Sequence, residues 1–294
     1  MKYHWTSYFS LVVMVMIWGS AFALTRMALQ GFSPVGVASG RLLLGALVVA
    51  PIAIMSGQGL PKTLKTWGWC GLLGVTNFVV PFTLIAWGQL EVPSNITATI
   101  VSSIPLFVLF FSWLFLKTPV SKRKWVGFTI GLIGLIWLAD PRSDAAQTIH
   151  LLSYIAILAA CMGMALGAVI ISMMPNMPSI QAMSGTLIVS ALVALPFGWR
   201  EIDPGMASQT AIIGLLLLGV LPTGIAQILR HFTVKRTSPV FVATATYLIP
   251  IWAGFLGYLF LDERLSLPAV LAYALIVTGL LISRDRAKKR PRQP

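Results

Sequence analysis

The sequence predicts an all-α membrane protein, with ten transmembrane helices built as two inverted five-helix repeats. Three observations lead there. Of the 294 residues, 57% are hydrophobic and only 10% are charged, with a mean hydropathy of +0.86; soluble domains carry about 25% charged residues. The charges are also clustered: residues 151–199 form an uncharged run of 49, room for two spans of about 20 residues each. Finally, a shift of 145 positions lays the middle of the chain on its end without a gap.

Uncharged apolar stretches put the spans at 8–26, 34–55, 67–87, 93–116, 124–139, 151–173, 180–199, 210–230, 238–261 and 267–284. Lys2 is the one basic residue ahead of the first span. More spans follow it instead of a cleavage site and a soluble body, so no cleavable signal peptide is expected. Helix breakers mark the boundaries in order. The second span opens at Ser33-Pro34, the third follows Pro61, the fourth opens at Val92-Pro93, and the fifth closes before Asp140-Pro141. Pro175 and Pro178 separate the sixth from the seventh, Asp203-Pro204 the seventh from the eighth, and Ser238-Pro239 opens the ninth; Pro268 begins the tenth. Ten spans use about 200 positions, and short connections leave no room for an extramembrane domain. Chemistry is therefore expected within the helices.

The formal charge of +13 would point to nucleic acid in a soluble domain. Here the basic residues follow membrane topology, and no nucleic-acid partner is expected. With the N-terminus inside, fifteen Lys and Arg fall on cytoplasmic segments and four (Arg26, Arg142, Arg200 and Arg264) on outer ones. That is a strong positive-inside bias, and it predicts a multi-pass cell-membrane protein with both termini cytoplasmic. The basic tail, 285–294, reads as an anchor attracted to anionic lipid. Cys70 and Cys161 lie in apolar runs and read as buried hydrophobes without a disulfide.

The 145-residue shift matches Gly74-Val75 to Gly219-Val220, Ala98-Thr99 to Ala243-Thr244, and Ile104-Pro105 to Ile249-Pro250. Leu114-Phe115-Leu116 meets Leu259-Phe260-Leu261, Ser121 meets Ser266, and Gly134-Leu135 meets Gly279-Leu280. Matched prolines and glycines carry more weight than matched leucines, because each changes the backbone. An odd number of spans per repeat inverts one half relative to the other, a recurrent plan of secondary transporters with the binding site between the halves. The halves are 8–139 and 151–284.

Trp18-Gly19-Ser20-Ala21-Phe22 resembles the WGxxF signature of the EamA family, in the drug/metabolite transporter superfamily. The spans centred on Pro105 and Pro250 are similar to that family's fourth and ninth helices, and Leu261-Asp262-Glu263-Arg264-Leu265 to its acidic turn after the ninth. The first repeat has Thr118 where the family commonly has a Glu, and Ala160-Cys161-Met162-Gly163 stands where the second tryptophan motif would fall. The resemblance implies ten helices around a central cavity and transport of small metabolites, frequently export.

No HExxH, CxxC, GxSxG or GxxxxGK[ST] motif occurs, so no hydrolytic, metal or ATPase chemistry and no cofactor are expected. No Asp or Glu lies inside a predicted span, which removes a carboxylate proton relay. His231 is the titratable group left for proton coupling, with an interfacial position beside Arg230 as its alternative. Arg41 is the most informative charge, about seven residues into the second span; it either attracts a substrate carboxylate or phosphate, or snorkels to the outer surface. Asn77, Gln89, Asn95, Ser102, Gln227 and Tyr247 are candidates to line the cavity, because unpaired amides in lipid cost several kcal/mol. Interhelical hydrogen bonds are the alternative for each. Trp18 is a candidate for stacking on a planar substrate, and Pro105 and Pro250 are candidate hinges through the helix bond each removes. Gly127-xxx-Gly131 and Gly163-xxx-Gly167 permit close helix packing within the chain, so the expected state is a monomer or a homodimer. The expected function is a secondary carrier of small metabolites such as amino acids or organic acids, with the lipid bilayer as its surroundings. A membrane-embedded enzyme acting on lipid-linked substrates is the alternative.

Overall fold

The computed structural model describes residues 4–138, 145–201, 207–237, 241–242, 244–263 and 267–283, with the backbone alone at 145–150, 244, 268 and 269. The basic tail and the boundary residues Asp140, Pro141, Asp203, Pro204, Ser238 and Pro239 lie outside the described residues.

Helices α1 (Trp5–Ala28) and α2 (Pro34–Met55) come first. Helices α3 (Leu64–Gly74) and α4 (Val80–Gly88) are one continuous rod, joined by a π-helical stretch at Val75–Val79. Helices α5 (Ser94–Val101) and α6 (Ile104–Leu116) are separated by a break at Ser102 and Ser103. Then come α7 (Lys122–Leu138), α8 (Ala145–Met173) and α9 (Ser179–Gly198). Helices α10 (Gln209–Leu218) and α11 (Ala226–Arg236) again join through a π-helical stretch, Gly219–Ile225. After a 3₁₀ turn at Thr244–Tyr247 the last described helices are α12 (Ile249–Leu261) and α13 (Leu267–Ser283). Among the described residues there is no strand.

Seven of these rods are long and apolar enough to cross a bilayer: Trp5–Ala28, Pro34–Met55, Leu64–Gly88, Ser94–Leu116, Leu151–Met173, Ser179–Glu201 and Gln209–Arg236. The apolar stretches Ala245–Leu261 and Val270–Ser283 are shorter, and α7 has 17 residues. The exterior is apolar, with Leu47, Leu192, Phe197 and Phe260 each more than 60% exposed. On a soluble protein such a surface would aggregate; here it is the face that meets lipid.

Two local departures from the expected spans have physical causes. The eighth span runs on through α11 to Arg236 instead of stopping at 230, with Lys235 and Arg236 in its last turn, where cations complement the helix dipole. The fourth span is broken rather than kinked. Pro105 cannot donate to the carbonyl of Val101, and the hydroxyls of Ser102 and Ser103 turn back to the carbonyls of Thr99 and Ile100, each at 2.6 Å. Pro105 and Pro250 therefore sit in the first turn of α6 and α12. The missing N–H costs no helix bond there, which corrects the expected loss of a bond within each span.

The two ends of the bundle are distinct. At one end Gly31 packs on Ala207, Gly36 on Glu201 and Gly198 on Ser39, bringing together the end of α1, the start of α2, the end of α9 and the segment ahead of α10. At the other end Pro61 packs against Gly185, and the Gln181 amide donates to the Leu60 carbonyl at 2.8 Å. Helix α7 lies tightly along α13. A Cβ on Gly127 would fall on the carbonyl oxygen of Gly279, and one on Gly134 would stand 2.9 Å from the carbonyl oxygen of Ala272.

Candidate functional site

Helix α2 carries Arg41 into the interior, where it is 6% exposed. Its guanidinium carbon stands 3.7 Å above the centre of the Phe82 ring in α4, and its Nε donates to the Thr223 hydroxyl at 3.2 Å. Thr223 is held by the backbone irregularity around it. Pro222 has no N–H for the Leu218 carbonyl, and the Thr223 hydroxyl donates to that carbonyl instead, at 2.9 Å. The π-helical stretch thus turns a hydroxyl toward the arginine. The Thr223 bond is the one hydrogen bond Arg41 makes among the described residues, and no carboxylate there pairs with it. The guanidinium does not snorkel. A buried cation costs several kcal/mol, of which a desolvated ring contact returns about 2 kcal/mol. What remains favours an anion.

A cavity of about 330 Å³ opens beyond this point, lined by Val49 of α2, Leu73 of α3, Met174–Met177 after α8, the start of α9, and Gln227, Arg230 and His231 of α11. Gln227 lies one turn beyond Thr223, and Val49 lies eight residues beyond Arg41, about 12 Å along the helix. The cavity therefore lies at the Leu60 end of the bundle. Arg230 is exposed there, while His231 is 7% exposed and neither ring nitrogen has a hydrogen-bond partner among the described residues.

Polar ties join the helices at the opposite end. Arg26 donates to the carbonyls of Gln89 and, at 3.0 Å, Leu90, which terminate α4, as a cation at a helix C-terminus does. The Gln89 amide donates to the Phe22 carbonyl at 3.1 Å. The Glu263 carboxylate accepts from the Ser94 N–H (2.7 Å), the Ser94 hydroxyl (2.8 Å) and the Asn95 N–H (3.1 Å), capping α5.

The sequence candidates thus fall in several places. Gln227 lines the cavity, while Arg41 is buried deeper in the bundle and is not among the lining residues. Gln89 and Asn95 stand at the end joined by the polar ties. Ser102, 1% exposed, sits at the α5–α6 break. Asn77 lies in the first π-helical stretch and packs on Gly167 of α8. The Tyr247 carbonyl accepts from the Tyr273 hydroxyl. Trp18 packs, as Trp252 does, against the buried cluster of Leu11, Met14, Val15, Val242 and Ala245. Next to it, a Cβ on Gly19 would stand 2.8 Å from the Trp252 ring, whose Nε1 donates to the Ser20 hydroxyl at 3.1 Å. The tryptophan motif is therefore a close contact between α1 and α12. Sequence reasoning missed Phe82 and Trp252, because an aromatic residue in an apolar span carries no mark of what it faces. Cys70 and Cys161 are free and buried.

An apolar-surfaced helical bundle that buries a cation with no carboxylate partner among the described residues, and that holds a cavity within it, fits a multi-pass membrane protein of the transporter class. The chain belongs to the EamA-like transporter family, whose profile matches residues 5–139 and 151–284. It is 27% identical over 274 residues to "Protein PecM" of Dickeya dadantii (strain 3937), covering 92% of this chain and 89% of that one. It is 26% identical over 282 residues to "Uncharacterized inner membrane transporter YedA" of Escherichia coli (strain K12), covering 93% and 89%. It is 22% identical over 287 residues to "Probable terminal-alkyne amino-acid exporter" of Streptantibioticus cattleyicolor, covering 97% and 95%. A solved crystal structure shares the fold with a TM-score of 0.65 at 16% identity, covering 95% of this chain and 96% of that one. The chain is thus a multi-pass transporter-family protein, several of whose relatives are named as transporters.

Proposed function

We propose that the protein is a secondary carrier, working as an exporter, for small metabolites that bear a carboxylate, such as amino acids or organic acids. The observation that carries this is Arg41, buried over Phe82 with no acid beside it among the described residues. The similarity to a relative named as an amino-acid exporter supports the same class. Substrate enters from the cavity past Gln227 and reaches Arg41 at the interface of two inverted halves, 8–139 and 151–284, which expose it alternately to each side. Asn77, Asn95, Ser102, Tyr247 and Trp18 line the route in the alternate state, with Gln89 at its far end.

Several features 145 positions apart support the inverted ten-span arrangement. The π-helical stretches begin at Val75 and Gly219, within one residue of that shift. The left-handed helix ends are Lys117 (φ 51°) and Asp262 (φ 53°). The close contact of Gly127 with Gly279 has its exchanged counterpart in Gly134 with Ala272. Both termini are then cytoplasmic and the cavity faces the cytoplasm. Single cysteines near 62 and 122 should react with an impermeant reagent only from inside, and those near 143 and 203 only from outside. Labelling near 122 from the outer face of intact cells would refute this orientation.

Flux of a panel of amino acids and organic acids in sealed proteoliposomes tests the reading as a whole, and absence of any carboxylate flux sinks it. Pro105 and Pro250 act as hinges in this scheme by keeping the helix break open. Pro105→Ala and Pro250→Ala are expected to leave insertion intact and to slow flux several-fold; wild-type flux in both would make the two residues packing details.

A further inference from the structure

We infer that Glu263 is a gating residue: its carboxylate latches the end of the bundle opposite the cavity by holding the start of α5, and the latch must release for the carrier to open there. This rests on the alternating-access reading above. Of the polar ties at that end, those of Arg26 and Gln89 stay within residues 8–139. The Glu263 tie joins α12, in 151–284, to α5, in 8–139, with all three of its hydrogen bonds on Ser94 and Asn95. It is therefore strained or broken when the two halves rock, while the Arg26 and Gln89 ties move as units; a neutral bond that also crosses the halves at this end runs from the Ser39 hydroxyl to the Ala194 carbonyl at 2.9 Å. Each bond is charge-assisted, the stronger kind, and two backbone N–H groups at a helix start are a natural seat for a carboxylate.

The chain is built to hold this side chain. Asp262 turns left-handed (φ 53°), the Glu263 N–H bonds the Gly257 carbonyl at 3.0 Å, and a Cβ on Gly257 would fall on the Glu263 carboxylate oxygen. At the other end of the bundle the same backbone turn recurs 145 positions earlier. Lys117 is left-handed (φ 51°), and the Thr118 N–H reaches the Ser112 carbonyl at 3.3 Å. The side chains there cannot make the tie. Thr118 replaces the glutamate and is exposed, Ser112 replaces Gly257, and Pro239, with neither N–H nor hydroxyl, replaces Ser94. One gate has a latch and its counterpart does not. That asymmetry biases the carrier toward the state with the cavity open at the Leu60 end and closed at the Glu263 end.

The test needs no substrate. In a Cys70→Ala, Cys161→Ala background, single cysteines replace Thr99, in α5 beneath the latch, or Gln227, at the cavity. Sealed vesicles are challenged with a membrane-impermeant maleimide from each face. With Glu263 intact, the cysteine at 227 should react from the open-end face and the one at 99 from neither. Glu263→Gln should raise reaction at 99 from the latched face about tenfold, equivalent to about 1.4 kcal/mol, and lower reaction at 227. Ser94→Ala, which removes one of three donors, should move both readouts the same way by about threefold, and it keeps the test decisive if Glu263→Gln does not elute as a single species. Labelling within twofold of the parent in both variants overturns the latch and reduces Glu263 to a helix cap, with the carrier reading intact. A cysteine at 227 that reacts from neither face in any variant overturns the cavity, and the carrier reading and the latch fall together.

Discussion

Arg41→Gln is expected to weaken binding of a transported carboxylate about ten- to hundredfold while leaving insertion unchanged. A charge-assisted hydrogen bond contributes about 1.5–3 kcal/mol, and each 1.4 kcal/mol is tenfold in affinity. Arg41 holds its guanidinium carbon 3.7 Å over the Phe82 ring with Nε committed to Thr223, which leaves the two terminal nitrogens to receive the carboxylate as a fork. Arg41→Lys keeps the charge but has neither the plane that stacks nor an Nε to anchor, so it should recover little. Thr223→Val tests the anchor alone: the charge remains, the guanidinium is free to turn, and affinity should fall by less than in Arg41→Gln. The measurement is substrate affinity by equilibrium binding, with flux in proteoliposomes beside it. Equal affinity in the parent and Arg41→Gln would leave Arg41 as a structural cation and reopen the question of substrate charge.

Gly127→Val is expected to be the most destabilising single change in the α7–α13 pair, by about 3 kcal/mol, at the upper end of overpacking costs. The atoms a new Cβ would meet are the Gly279 carbonyl oxygen, the Ser283 hydroxyl and, at 2.8 Å, the Ser283 backbone nitrogen. A Cβ on Gly279 would meet the Gly127 carbonyl in return, and the Gly131 nitrogen at 2.7 Å. Backbone faces backbone from both sides, so no rotamer change relieves the clash and the helices must part. Thermal unfolding of the purified protein should show a midpoint lower by several degrees. Gly68→Ala, where nothing lies within 4 Å of the added carbon, should melt as the parent does. An unchanged midpoint for Gly127→Val would mean that α7 and α13 can separate freely.

Much was legible in the sequence because lipid imposes simple rules. Backbone groups must be bonded within each rod, so apolar length reports helices, and helix class, membrane placement and most boundaries followed from hydropathy and proline alone. The paired prolines and the 145-residue shift marked positions whose backbone also corresponds, down to the left-handed turns at Lys117 and Asp262. Arg41 stood out because a charge within a span is costly enough to need a reason. The sequence could not show which reason. Snorkelling and burial differ only in what lies across from the side chain, and Phe82 and Thr223 stand 41 and 182 positions away in the chain. Nor could it show that the α5–α6 break falls at Ser102 and Ser103, or that Gln89 holds two helices together at the end away from the cavity. Glu263 read as part of a polar turn, and only the fold brought Ser94 to it across 169 positions. Hydropathy is a property of each residue against lipid or water, whereas a hydrogen bond between distant helices depends on how the rods pack, and packing was decided by shape in three dimensions.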